Sequence, residues 1–165
     1  MNYQEEIIQA ILIGSVVATF LLNIGHALKA IELCKENLVL LSNKALRIEK
    51  QLGQLLCKKI YPTMFKSYRH VSDHTNAIAY GNKLLAIYSE CGDTVQEGLL
   101  SITLAKIYRR QRMYAEAKQL FERAIPVLRA TGKRREEAVS FRELGYVFQS
   151  LGEYAKAGED RKSVV

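Results

Sequence analysis

The chain is short of proline and of cysteine, and both shortages exclude something. Two prolines in 165 residues, with no Pro/Ser-rich tract and no low-complexity run, leave no composition for a disordered linker or a second domain. The three cysteines, Cys34, Cys57 and Cys91, are an odd number without C-x-x-C spacing. Neither a disulfide framework nor a zinc site is indicated, and reduced, small core thiols are expected. No Asn-X-Ser/Thr acceptor occurs, which favours a cytoplasmic location. No nucleophile stands beside a paired base, no carboxylate pair has helical context, and no Gly-rich loop offers to cradle phosphate. The expectation is therefore a protein that is not an enzyme, with no catalytic residue and no cofactor. His70 and His74 have the i, i+4 spacing that could bring two imidazoles to one metal, but Ser72-Asp73 between them marks a turn and an N-cap. No metal site is expected.

What the chain does have is an ordinary globular balance, 48% apolar and 25% charged residues, enough for one domain with a real core. Its formal net charge of +7 points to an acidic partner, although net charge bears on association more than on the identity of a ligand.

Between Gly98 and Ala157 a helix, a turn and a second helix are written nearly twice. Leu104, Ala105, Tyr108 and Ala117 return forty residues later as Leu144, Gly145, Phe148 and Ala157. The turns agree, since Gly92 returns as Gly132 and Tyr114 as Tyr154. The physical reason for these residue types is close packing of paired antiparallel helices: small side chains let the helices approach, and Tyr108, Phe121 and Phe148 fill the gaps beside them. With Ala124 they fit the pattern L-G-x2-Y followed by A-x3-F. The segment resembles the tetratricopeptide repeat family in its forty-residue form, as in kinesin light chains and G-protein-signalling modulators, strongly over residues 54–160. The resemblance implies an all-α fold of antiparallel helix-turn-helix repeats stacked as a right-handed α-solenoid. The expected organisation is one domain: a degenerate repeat with a long second helix over 1–53, repeats over 54–93 and 94–133, the latter matching best, and a truncated last repeat over 134–165.

Ile7 to Gly25 carries no charge over 19 residues, close to the length that spans a bilayer. Gln9, Ser15, Thr19 and Asn23 dilute it, and Val17, Ala18, Leu21 and Ala30 have the spacing of Leu104, Ala105, Tyr108 and Ala117. A buried repeat helix ending in a turn at Asn23-Ile24-Gly25 is preferred, with a membrane anchor as the alternative. Ala27 to Leu52, free of Gly and Pro, reads as one long helix. Pro62 marks either a kink or a helix start.

In this family the side of each first helix opposite its packing face lines a concave groove. The residues placed there as peptide-binding are Lys59, Lys66, Arg69, Ile102, Lys106, Arg109, Arg110, Arg142 and Tyr146. The resemblance implies protein binding; the basic lining points to an acidic peptide or helix, held by charge-assisted contacts with Ile102 and Tyr146 as apolar contacts. The Asn residues of carboxylate-clamp relatives are missing, which counts against chaperone tails. Nucleic acid is not the expected partner, because Tyr146 stands almost alone as a stacking aromatic. Two further expectations concern the carboxyl end: self-association through an uncapped last repeat whose second helix runs from Tyr154, and a Ser163-Val164-Val165 tail of the kind PDZ domains capture.

Overall fold

A computed structural model describes the backbone of residues 2–44 and 46–163 and the side chains as far as residue 152, residues 1 and 45 apart. Among the described residues seven helices follow one another: α1 (Tyr3–Asn23), α2 (Ala27–Leu41), α3 (Lys50–His70), α4 (His74–Cys91), α5 (Thr94–Arg110), α6 (Tyr114–Ala130) and α7 (Arg134–Ser163). Among the described residues there is no strand. The chain forms two compact units, residues 1–87 and 88–165, which divide within α4.

The same turn chemistry ends five of the helices. The residue at the turn adopts a positive φ at Gly25, Ser72, Gly92, Arg112 and Gly132, and the residue immediately after it completes the motif. The N–H groups of His26, Asp73, Asp93, Met113 and Lys133 donate back to Leu21, Tyr68, Tyr88, Tyr108 and Leu128 at 2.8–2.9 Å. These 6→1 bonds satisfy carbonyls that the helix ends would otherwise leave orphaned. The turns expected at Asn23-Ile24-Gly25, Ser72-Asp73, Gly92 and Gly132 are all present.

Within the first unit, the single long helix expected over Ala27–Leu52 is instead two helices. Helix α2 stops at Leu41, and α3 starts only at Lys50. Ser42 turns its hydroxyl onto the carbonyl of Val39, the kind of local bond that competes with helix continuation, and Leu46 is buried, pinning the connector. This connector lengthens the first repeat: the positive-φ turn residues Gly25 and Ser72 are 47 positions apart, whereas Ser72 and Arg112 are 40 apart. Pro62 lies inside α3, not at its start, so it removes one interior hydrogen bond to the carbonyl of Lys58.

Helix α1 opens with a capping box in which Asn2 accepts from the backbone of Gln4 and Glu5 reaches back to the Asn2 N–H. Its packed face is Ile7, Ile11, Gly14, Ser15 and Ala18. Gly14 is required here: a Cβ would stand 2.5 Å from the side-chain oxygen of Asn37 on α2. Asn37, 2% exposed, uses that space to donate to the Ile11 carbonyl at 3.3 Å and to Ser15 Oγ at 3.4 Å. Of the expected core thiols only Cys34 is buried, Cys57 is half-buried, and Cys91, the last residue of α4, is exposed.

In the second unit the small residues sit where the repeat argument puts them. Leu104, Ala105, Ala117 and Phe121 are fully enclosed, with Ala124 and Tyr108 nearly so. At Gly98 an added Cβ would meet Val127 of α6 at 3.2 Å, so the α5–α6 approach also depends on a missing side chain. The last repeat departs from expectation. Gly145 faces open space, and Phe148 is 48% exposed with Lys118 Nζ 5.3 Å from its ring centre. Helix α7 runs through Gly152 without the expected turn. An unbroken helix satisfies internally the carbonyls that a turn would have to cap. The side chains of Tyr154, Ala157 and Arg161, and the Val164-Val165 tail, lie outside the described residues.

Candidate functional site

Three cations singled out in the first unit share helix α3. Lys59, Lys66 and Arg69 are all exposed, because the buried residues Ile60, Thr63, Met64, Ser67 and Tyr68 take the other side of the helix. Lys59 and Lys66 repeat at seven residues, two turns on one face. Arg69 also lies over the ring of Phe65, 5.5 Å from its centre. Lys59 further lines a cleft of about 570 Å³ between α1 and α3, with Leu12, Val16 and Phe20 as its apolar wall and Ser15, Thr19 and Asn23 as its polar one. The hydroxyls of Thr19 and Thr63 join the two helices at 3.0 Å. Since Thr19 donates to the Ser15 carbonyl at 2.9 Å, the Thr63 hydroxyl is the donor between them.

In the second unit the predicted set divides. Arg110, Arg142 and Tyr146 are exposed and Lys106 is half-buried. Ile102 is 5% exposed, so it belongs to the core and offers a peptide no surface. Arg109 is committed elsewhere: its Nε lies 2.7 Å from Oε2 of Glu143, and Arg142 approaches the other oxygen of the same carboxylate at 3.6 Å. The Arg109 contact is an ion pair without hydrogen-bond alignment, since neither atom has a geometrically acceptable partner. Nothing in the sequence signals this pairing, because Arg109 and Glu143 lie on different helices. Lys59, Lys66, Lys106 and Arg110 make no ion pair among the described residues.

The remaining ionisable groups favour inert roles. Burial pushes the Cys34 thiol up to about 12 and raises that of Cys57, so both stay protonated at neutral pH and neither is a ready nucleophile. Tyr61 is pushed up to about 12, chiefly by burial, beside a stacked pair formed by Tyr68 and Tyr80, whose ring centres are 5.5 Å apart. His70 ends α3 and His74 begins α4, so they do not share a helix. No group of three or more potential metal ligands assembles among the described residues.

No curated protein matches this chain. Among solved structures, a signal transduction ATPase with numerous domains, carrying a tetratricopeptide repeat sensor, from Pyrococcus horikoshii is similar with a TM-score of 0.71 at 22% identity. That match covers 93% of this chain but 23% of the ATPase, so the chain spans under a quarter of that relative. A Podosopora anserina protein described as a kinesin light chain with nearly identical TPR-like repeats is similar at 16% identity and a TM-score of 0.61, covering 96% of this chain and 73% of that one. At such identities the likeness shows the fold alone, the all-α repeat class that the resemblance implies. The tetratricopeptide repeat profile itself matches residues 66–130 and again 98–159, more than half of the chain. With paired helices, recurring turns and small residues at the helix contacts accounted for in the same register, the chain belongs to the tetratricopeptide repeat family.

Proposed function

We propose that this chain is a non-catalytic, cytoplasmic scaffold whose first helices hold acidic segments of a partner protein, in keeping with the protein–protein interaction that repeats of this family generally mediate. The observation that carries the reading is the set of exposed or half-exposed cations left without an acidic neighbour, Lys59 and Lys66 on α3 and Lys106 and Arg110 on α5. A carboxylate brought to such a group gains a charge-assisted bond without breaking an existing pair. Arg109 contributes differently, by holding Glu143, and Arg142 and Tyr146 flank that pair on α7. The partner's apolar contact falls to Tyr146 and not to Ile102.

A fluorescein-labelled Asp/Glu-rich peptide, followed by anisotropy, tests this. Binding should weaken steeply with salt, and Lys59→Glu/Lys66→Glu or Lys106→Glu/Arg110→Glu should lower affinity with the helical circular dichroism unchanged. Equal affinity in both double variants would remove the proposal. Binding of a single-stranded oligonucleotide at physiological salt with higher affinity than the peptide would favour the nucleic-acid alternative.

The membrane reading rests on α1, which has the length and a mean hydropathy of 1.8 suited to a span. Against it stands the contact between Asn37 and the Ile11–Ser15 turn. A span would pull α1 away from α2 and leave Asn37 and Ser15 without these bonds, at a cost that a packed helix avoids.

A further inference from the structure

Beyond the buried Ile7 and Ile11, helix α1 turns only small residues inward, Gly14, Ser15 and Ala18, while its outward side carries Ile13 (64% exposed), Val16 (70%), Val17 (42%) and Phe20 (60%), continued by Ile24 (50%) just past its end. Soluble helices normally bury the bulky residues and expose the small and polar ones. Along the outward line the spacing from Ala10 through Ile13, Val17 and Phe20 to Ile24 alternates three and four residues, the seam that a second helix grips. Those seam residues carry no charge.

We infer that this face of α1 is an isologous contact between two copies of the chain, with the two α1 helices antiparallel and the two-fold axis near Val16 and Val17. In that register Ile13 of one copy meets Phe20 of the other, and Ala10 leaves room for Ile24. The ends also match in charge. Glu5 and Glu6 are the acids of the first turn of α1 and are exposed, whereas the segment just beyond its other end carries exposed His26 and Lys29. Antiparallel pairing sets each acidic end beside the basic end of the second copy, and parallel pairing would set acid against acid. The copies' net positive charge opposes approach weakly, because α1 contains no Lys or Arg and distant charges are screened beyond about 8 Å at physiological salt. An apolar stripe of this kind is on the order of the few hundred Å² that marks an interaction surface. Doubled across a two-fold axis, it falls near the lower end of specific interfaces, about 1,200 Å². Val16 and Phe20 also wall the α1–α3 cleft, so the second copy closes its outer rim and leaves Lys59 at the inner one. A lipid surface is the poorer fit, since the acids at the head of α1 are repelled by anionic headgroups.

Sedimentation velocity of the full chain across a wide concentration range tests the contact. The wild type should dimerise reversibly, and Val16→Glu, at a site exposed enough to spare the fold, should raise the dimer dissociation constant about a hundredfold or more by placing a carboxylate in the seam. Glu5→Lys/Glu6→Lys should weaken the dimer, and adding Lys29→Glu should restore it. In a Cys91→Ser background, Val17→Cys should oxidise to a disulfide-linked dimer, and Tyr3→Cys, far from the axis, should not. A monomer at every concentration overturns the inference, as does a dimer indifferent to Val16→Glu. Co-flotation of a monomeric wild type with phosphatidylcholine vesicles would overturn it in favour of lipid.

Discussion

The guanidinium of Arg109 on α5 meets the carboxylate of Glu143 on α7 at 2.7 Å, and Glu143 is only 8% exposed. One helix of the best-matching repeat is thereby tied to the first helix of the next. Arg109→Ala leaves Glu143 enclosed with only the longer Arg142 contact, so we expect a loss of about 1–3 kcal/mol in urea unfolding. Arg109→Leu/Glu143→Leu should recover most of it. Equal losses in single and double variants would show that the carboxylate is not the source.

At Gly14 the prediction is steric. The Cβ of Gly14→Ala would stand 2.5 Å from Asn37, forcing that side chain off its bonds to Ile11 and Ser15, with an expected cost of about 2 kcal/mol. Gly14→Ala combined with Asn37→Ala should cost less than the sum of the two single changes, because both act on one contact.

Ser72 and Arg112 hold φ values of 60° and 61°, a region disfavoured for residues with a Cβ. Ser72→Gly and Arg112→Gly should each stabilise by about 0.5–1 kcal/mol, the relief of strain exceeding the added freedom of the unfolded chain. Gly25→Ala, at φ 90°, should destabilise. A drop in melting temperature for both glycine variants would contradict this account of the turns.

The carboxyl of Asp73 is held below its ordinary value, first by the Asn76 side-chain amide at 2.7 Å and then by the Asn76 backbone N–H at 3.1 Å. A lowered folded-state pKa contributes stability that is fully present above the unfolded value near 3.8 and is lost as the pH falls through the folded value. The stability difference between wild type and Asp73→Asn, which keeps an acceptor but does not titrate, should therefore be constant from neutral pH to about pH 5 and shift against the wild type below that. A difference independent of pH down to acid unfolding would exclude the linkage.

Local patterns were legible without coordinates. The forty-residue spacing of Leu104 and Leu144, the small residues Ala105, Ala117 and Ala124, and the glycines at 25, 92 and 132 all state preferences of neighbouring backbone, so the helix pairs and their turns follow from residue type and period. The exposure of Lys59, Lys66 and Arg69 follows likewise from their place on one helix face. Tertiary structure alone decided the rest. It broke the stretch from Ala27 to Leu52 by burying Leu46, took Ile102 into the core, committed Arg109 to Glu143, and carried α7 straight through Gly152. It also decided which side of α1 packs, because a helix apolar nearly all round has no face that periodicity can choose. That choice was made by Asn37, 23 residues beyond Gly14 in the chain, whose buried amide needs the Ile11 carbonyl and fits only where Gly14 has no side chain. Sequence period specifies what each helix can bury, whereas the partner across the contact determines what it does bury.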